Sequence, residues 1–157
     1  MTLMRPRISV AVCTYNGSRF LPEQLTSIAA QTRLPDEMVV CDDGATDATA
    51  EIIEKFARTA PFLVRFIRNS QNLGSTKNFE NAIGLCTGDL IALSDQDDIW
   101  MREKLGRQAE MMERDPETEN RMPGWQQSVP TLRSTAGVRG SPQCHRQSST
   151  IRTSLVS

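Results

Sequence analysis

The apolar positions of this chain alternate between short continuous runs and spaced stripes. Ile8-Ser9-Val10-Ala11-Val12-Cys13 is nearly unbroken in apolar character, the pattern of a central parallel strand covered on both faces. Turn chemistry in Thr14-Tyr15-Asn16-Gly17 ends it. From about Arg19 to Gln31, the residues Leu21, Leu25, Ile28 and Ala29 recur at i, i+4, i+7 and i+8, which predicts a helix with Pro22 tolerated in its first turn. Glu37–Cys41 reads as a second strand, and residues 47–59 as a helix carrying Ile52, Ile53 and Phe56. Phe62–Ile67 is a third strand. Asn72-Leu73-Gly74-Ser75 is a turn, with Ser75 placed to cap a helix that runs to Leu85 on Phe79, Ala82 and Ile83. Leu90–Leu93 is a fourth strand, and residues 101–114 form a helix on Leu105, Ala109 and Met112.

Strand and helix in alternation predict an α/β fold: an open, mostly parallel sheet with flanking helices. Right-handed crossovers bring the strands' carboxyl ends to one edge, and such sheets bind ligands in the crevice beyond that edge. Three polar clusters are thereby expected to converge: Thr14-Tyr15-Asn16, Asp42-Asp43 and Asp95-Gln96-Asp97-Asp98. The last places three carboxylates within four residues, which repel one another and lose hydration unless a cation or a set of donors compensates. In extended backbone, Asp95 and Asp97 share one side and Asp98 the other. Two same-side carboxylates suit magnesium or manganese. The same run also reads as an acidic turn capping the next helix.

Composition narrows the field. At 157 residues the chain is one domain, and a formal net charge of −1 gives no reason to expect nucleic acid or an anionic membrane as partner. Aromatic residues make up 5%, too few for a base-stacking platform. Cys13, Cys41, Cys86 and Cys144 show no metal-binding spacing, and Cys13 and Cys41 lie in strand-like runs where buried free thiols are common. A reducing, cytoplasmic setting follows. No apolar run reaches the length of a membrane span, so any contact with a membrane is expected to be peripheral or through a partner. After Asp115-Pro116 the composition changes: residues 117–157 contain no Asp, Lys or Phe, and their apolar residues are scattered without period. That stretch is expected to be a disordered tail, either natural or read in a shifted frame. Cys144-His145 within it lacks the further ligands of a metal site.

Residues 8–114 resemble the family-2 inverting glycosyltransferases of the GT-A fold. The resemblance rests on Ile8 to Gly17, on Val39-Val40-Cys41-Asp42-Asp43-Gly44-Ala45-Thr46-Asp47, on Asn72-Leu73-Gly74, and on Asp95-Gln96-Asp97-Asp98. Ser94 to Trp100 followed by Glu103-Lys104-Leu105 looks most like the bacterial branch that includes rhamnosyltransferases. It implies an N-terminal extension at 1–7, the Rossmann-like nucleotide-sugar-binding half at 8–116, and transfer from a UDP- or dTDP-linked sugar to a glycan or lipid-linked acceptor, with inversion and a metal ion, in cell-surface polysaccharide synthesis. Thr14 and Tyr15 would line the nucleoside pocket. Asp43 would accept from the uracil or thymine ring NH, the alternative being a helix cap that Thr46 or Asp47 could supply. Asp95 would sit near the ribose, and Asp97 or Asp98 would bind Mg2+ or Mn2+ at the diphosphate, with Lys77 and Lys104 in reach. Trp100 is expected to pack the strand–helix junction. The family's general base lies well downstream of the acid run, where only Glu117 and Glu119 remain. No catalytic residue is therefore assigned, and the chain is expected to be incomplete and inactive alone. The other reading is a non-catalytic nucleotide-sugar-binding remnant. An unrelated dinucleotide-binding module is disfavoured, because no GxGxxG follows the first strand.

Overall fold

The structure, a computed structural model, describes residues 5–114 and the backbone of 125–127. In chain order the elements are β1 (Ile8–Thr14), α1 (Leu21–Ala29), β2 (Glu37–Asp42), α2 (Thr49–Ala57), β3 (Leu63–Arg68), α3 (Ser75–Leu85), β4 (Leu90–Asp95), α4 (Lys104–Arg114) and β5 (Trp125–Gln127). The sheet order is β3-β2-β1-β4-β5. The first four strands are mutually parallel, and β5 runs antiparallel to β4.

Alternation along each strand sorts the core into two layers. Val10 and Val12 of β1, Met38 and Val40 of β2, and Leu90 and Ala92 of β4 pack with Leu21, Leu25 and Ile28 of α1, Ile53 of α2, and Leu105, Ala109 and Met112 of α4. Ala11, Cys13, Val39, Cys41 and Ile91 point to the other face, under Ala82 of α3 with Phe79 and Ile83 beside it. Every residue of β1 and β2 is buried, as central strands of a two-sided sheet should be.

The strand order turns around at β1: β2 and β3 lie on one side of it and β4 on the other. Such a reversal opens a crevice at the carboxyl ends, because the helices leaving the two neighbouring strands diverge. Here it falls between β1 and β4. The amino ends are fastened around buried Glu37, which accepts from Ser9 Oγ at 2.7 Å, from Thr87 N at 2.5 Å and from Thr87 Oγ1 at 2.9 Å, with Arg65 at 3.5 Å.

Three expectations shift. Each of β1, β2 and β4 runs on to take in the first polar residue of its cluster, so that Thr14, Asp42 and Asp95 are strand-end residues. Ser75 opens α3 but does not cap it: the N-cap is Gly74, at φ +82°, with no side-chain cap bond. Trp125–Gln127 forms a strand within the stretch expected to be a disordered tail, whose other residues, Cys144 and His145 among them, lie outside the described ones.

Candidate functional site at the carboxyl edge of the sheet

The strand register brings the polar clusters together. Thr14 stands beside Asp42, Asp42 beside Arg68, and Cys13 beside Asp95. The loop after β1 is then stitched to both neighbours. Asn16, at φ +48°, accepts the Thr46 N–H on its Oδ1 at 2.8 Å, in the left-handed region that Asn tolerates better than most residues. Gly17 N–H donates to Thr49 Oγ1 at 2.9 Å and Ser18 N–H to Asp47 Oδ2 at 3.1 Å. Across the crevice, Tyr15 N–H donates to Gln96 Oε1 at 2.9 Å.

Asp43 is a buried carboxylate with three donors. Oδ1 accepts from Leu73 N at 2.7 Å and Asn69 Nδ2 at 3.0 Å, and Oδ2 accepts from Gly74 N at 2.9 Å. Burial works to raise its pKa, but the bonds from Leu73, Asn69 and Gly74 prevail and hold it below the ordinary value. Asp43 thus clamps the Asn72-Leu73-Gly74 turn and does not cap α2. Asp47 serves that helix, accepting from Thr49 N at 3.0 Å and Thr49 Oγ1 at 2.5 Å. The Thr49 bond is the first cause of its lowered pKa, against desolvation and with help from Ser18.

Thr14 is buried, and its hydroxyl donates to Asp42 Oδ1 at 3.1 Å. Asp42 Oδ2 accepts from Ala45 N at 3.0 Å and has Arg68 Nε at 3.6 Å. Tyr15 is 50% exposed at the mouth of the crevice.

The acid run is a turn and not an extended segment. Residues 96 and 97 form the turn, Asp98 N–H donates to Asp95 O at 3.3 Å, and Asp95 N–H donates to Asp98 Oδ2 at 3.3 Å. The expected same-side pairing of Asp95 with Asp97 therefore gives way to Asp98 folded back on Asp95. Period-two alternation ends with the strand, and the polar residues that follow favour a turn. Burial first, then Asp98 and Asp97, raise the pKa of Asp95. Among the described residues none of the three acids makes an ion pair.

Lys77 is exposed in the first turn of α3, just after the turn that Asp43 holds. Lys104 lies with Nζ 4.0 Å from the centroid of the Trp100 ring, and burial lowers its pKa while Asp98 opposes the shift. Trp100 is 5% exposed and packs in the main core, as expected of a junction residue. The thiols are unsuited to nucleophilic chemistry: burial pushes Cys41 up to about 11 and Cys86 up to about 12, and Cys13 higher still. Sequence gives Gln96 and Asn72 no role beyond their places in the motifs and does not mark Asn69, because their partners lie tens of residues away and amides carry no pattern of their own.

Among the described residues no group of three His, Cys, Asp or Glu side chains is arranged to hold a metal unaided. A magnesium-like cation at a diphosphate needs only one or two protein carboxylates, its other ligands being phosphate oxygens and water. The acids of the β4 turn, which make no ion pair among the described residues, fit that requirement.

Comparison with known proteins places these features in context. The sequence profile of Glycosyl transferase family 2 matches residues 9–119. The dTDP-rhamnosyl transferase RfbG of Shigella flexneri is 36% identical over 98 residues, covering 60% of this chain and 34% of that protein. The crystal structure of S. aureus TarS 1-349 in complex with UDP superposes with a TM-score of 0.63 at 31% identity, over 69% of this chain and 32% of TarS 1-349. The mannosyltransferase PcManGT from Pyrobaculum calidifontis, in complex with GDP-Man and Mn2+, superposes with a TM-score of 0.66 at 28% identity, over 73% and 34%. The chain spans about a third of the length of these relatives.

Proposed function

The chain belongs to glycosyl transferase family 2, and on that premise we propose that its described residues form the donor-binding part of an inverting, metal-dependent glycosyltransferase that takes a UDP- or dTDP-linked sugar. The observation that carries this reading is the turn at the end of β4. Asp95, Asp97 and Asp98 meet beside the point where the strand order reverses, and no ion pair among the described residues offsets their charge. The UDP bound to TarS, the GDP-Man and Mn2+ bound to PcManGT, and the dTDP donor in the name of RfbG support a nucleotide sugar and a divalent cation.

In this reading Asp97 and Asp98 would hold Mg2+ or Mn2+ at the donor diphosphate. When bound, the ion offsets the charge that grows on the leaving diphosphate, as a Lewis acid. Asp95, nearer the strand, faces the ribose. Tyr15 forms a wall of the nucleoside pocket, and Thr14 supports it from below through Asp42. A carboxylate oxygen offers two lone pairs; Asp43 Oδ2 takes one protein donor where Oδ1 takes two, which leaves it a lone pair for a pyrimidine ring NH. Lys77, exposed in the first turn of α3 after the turn that Asp43 holds, would add positive charge for the donor.

For this chain the proposal stops at donor binding. The acids described beyond Asp98 are Glu103, Glu110 and Glu113, on α4 or just before it and none at a strand end. A general base for the acceptor hydroxyl, a glycan or a lipid-linked saccharide, is assigned to none of them. A cytoplasmic setting with peripheral membrane contact and a part in surface polysaccharide synthesis complete the reading; among the described residues no helix is long and apolar enough to cross a membrane.

Calorimetric titration with UDP and with dTDP in the presence of Mn2+ tests this. Saturable binding that EDTA reverses is expected for at least one of them. No binding heat for either nucleotide would overturn the reading.

A further inference from the structure

We propose that Gln96 is a donor-binding residue, its side-chain amide donating to an oxygen of the nucleotide. The inference rests on the donor-binding reading above and adds a residue that reading does not use.

The amide's orientation follows from its partner. Tyr15 N–H can only donate, so the Gln96 atom that faces it at 2.9 Å must be the oxygen. Nε2, with its two protons, is then turned away from Tyr15, and among the described residues it makes no hydrogen bond. The group is also held firmly for a loop side chain. The amide fills the space a side chain on Gly17 would occupy: a Cβ there would collide with Gln96 Oε1 and Cδ. One end of the amide is thus fixed by the nucleoside loop after β1. The residue itself stands between Asp95 and Asp97, in the turn that faces the diphosphate.

The chemistry of the turn explains why an amide suits this position. Three acids within four residues present acceptors to a ligand that consists largely of acceptors, the ribose and phosphate oxygens. A cation relieves that conflict at Asp97 and Asp98, and a neutral donor relieves it at Gln96, between Asp95 and Asp97, without adding charge. An amide also bridges the crevice, since its oxygen takes the Tyr15 N–H while its nitrogen remains for the ligand. A carboxylate could perform only the first task.

That difference supplies the test. Gln96→Glu keeps the length and the acceptor for Tyr15 N–H but removes both donors. Gln96→Met keeps the length and neutrality and removes donors and acceptor together. UDP affinity in Mn2+ is measured by calorimetry for the parent and both variants, and a cooperative thermal melt without ligand confirms that each is folded. At least a tenfold loss in both variants is expected. Parent-like affinity in Gln96→Glu would show that the amide only holds the Tyr15 loop, and would overturn the inference. Parent-like affinity in Gln96→Met would show that the loss in Gln96→Glu is charge repulsion, and would overturn it equally. Failure of the parent itself to bind UDP would instead remove the donor-binding reading on which the inference rests.

Discussion

At the scale of the residue, a carboxylate buried at a strand end loses hydration that its neighbours have to replace. Asp43 meets that demand with two backbone N–H groups and the Asn69 amide. Asp43→Ala leaves the Leu73 N–H without an acceptor, and leaves Asn69 Nδ2 and Gly74 N with only Asn78 Oδ1 and Asn72 Oδ1; it is expected to destabilise the fold by about 1–3 kcal/mol, read from urea denaturation. The pH dependence has a definite sign. The folded pKa of Asp43 lies below its ordinary value of 3.8, so its contribution is present above that value and is lost as pH falls through the folded pKa. Buried Glu37 acts in the same sense: burial is the largest single influence and raises its pKa, but Ser9, Thr87 and Arg65 together outweigh it and hold the pKa below 4.5. Stability of the parent should therefore fall on acidification below about pH 4, and fall less steeply in Asp43→Ala, by urea midpoints taken across that range. Sequence showed Asp43 at a strand end and offered two roles for it. It could not show the clamp on Leu73 and Gly74, because a contact thirty residues away leaves no local pattern.

At the scale of the element, the apolar periods located four strands and four helices, and the parallel order followed from their alternation. Two details escaped that logic. Strand ends are set by pairing, so β1 and β2 continue one polar residue past their apolar runs, and β4 two, because a neighbour is in register there. The acid run turns as soon as pairing with β1 stops at Asp95, and extended alternation could not foresee that turn. The start of β4 carries a sharper constraint. A Cβ at Gly88 would lie 2.6 Å from Ser9 Oγ, 2.7 Å from Ser9 N and 2.9 Å from Arg7 O, and two of those atoms are backbone that cannot swing away. Gly88→Ala is expected to push β4 off β1 at its amino end and to cost about 1–3 kcal/mol, seen as a lower denaturation midpoint with an unchanged slope.

At the scale of the whole molecule, the sheet serves as a frame that delivers loops to one edge. The site's location was readable from sequence because that edge is a consequence of topology: once the strands are parallel, Thr14, Asp43 and Asp95 have nowhere else to go. The bonds that tie the loops into one site, Asn16 to Thr46 and Tyr15 to Gln96, were not readable, since each joins residues from different strand–helix units. In the proposed function, this edge binds a nucleotide diphosphate with a divalent cation through the β4 turn. The most direct measurement is the thermal melt of the 157-residue chain with UDP or dTDP and Mn2+ together, against each alone, in the parent and in the double variant Asp97→Ala, Asp98→Ala. A rise in Tm of several degrees is expected for the parent with nucleotide and metal together, and no such rise in the double variant. A parent whose Tm does not move, or a double variant that responds as the parent does, would contradict it.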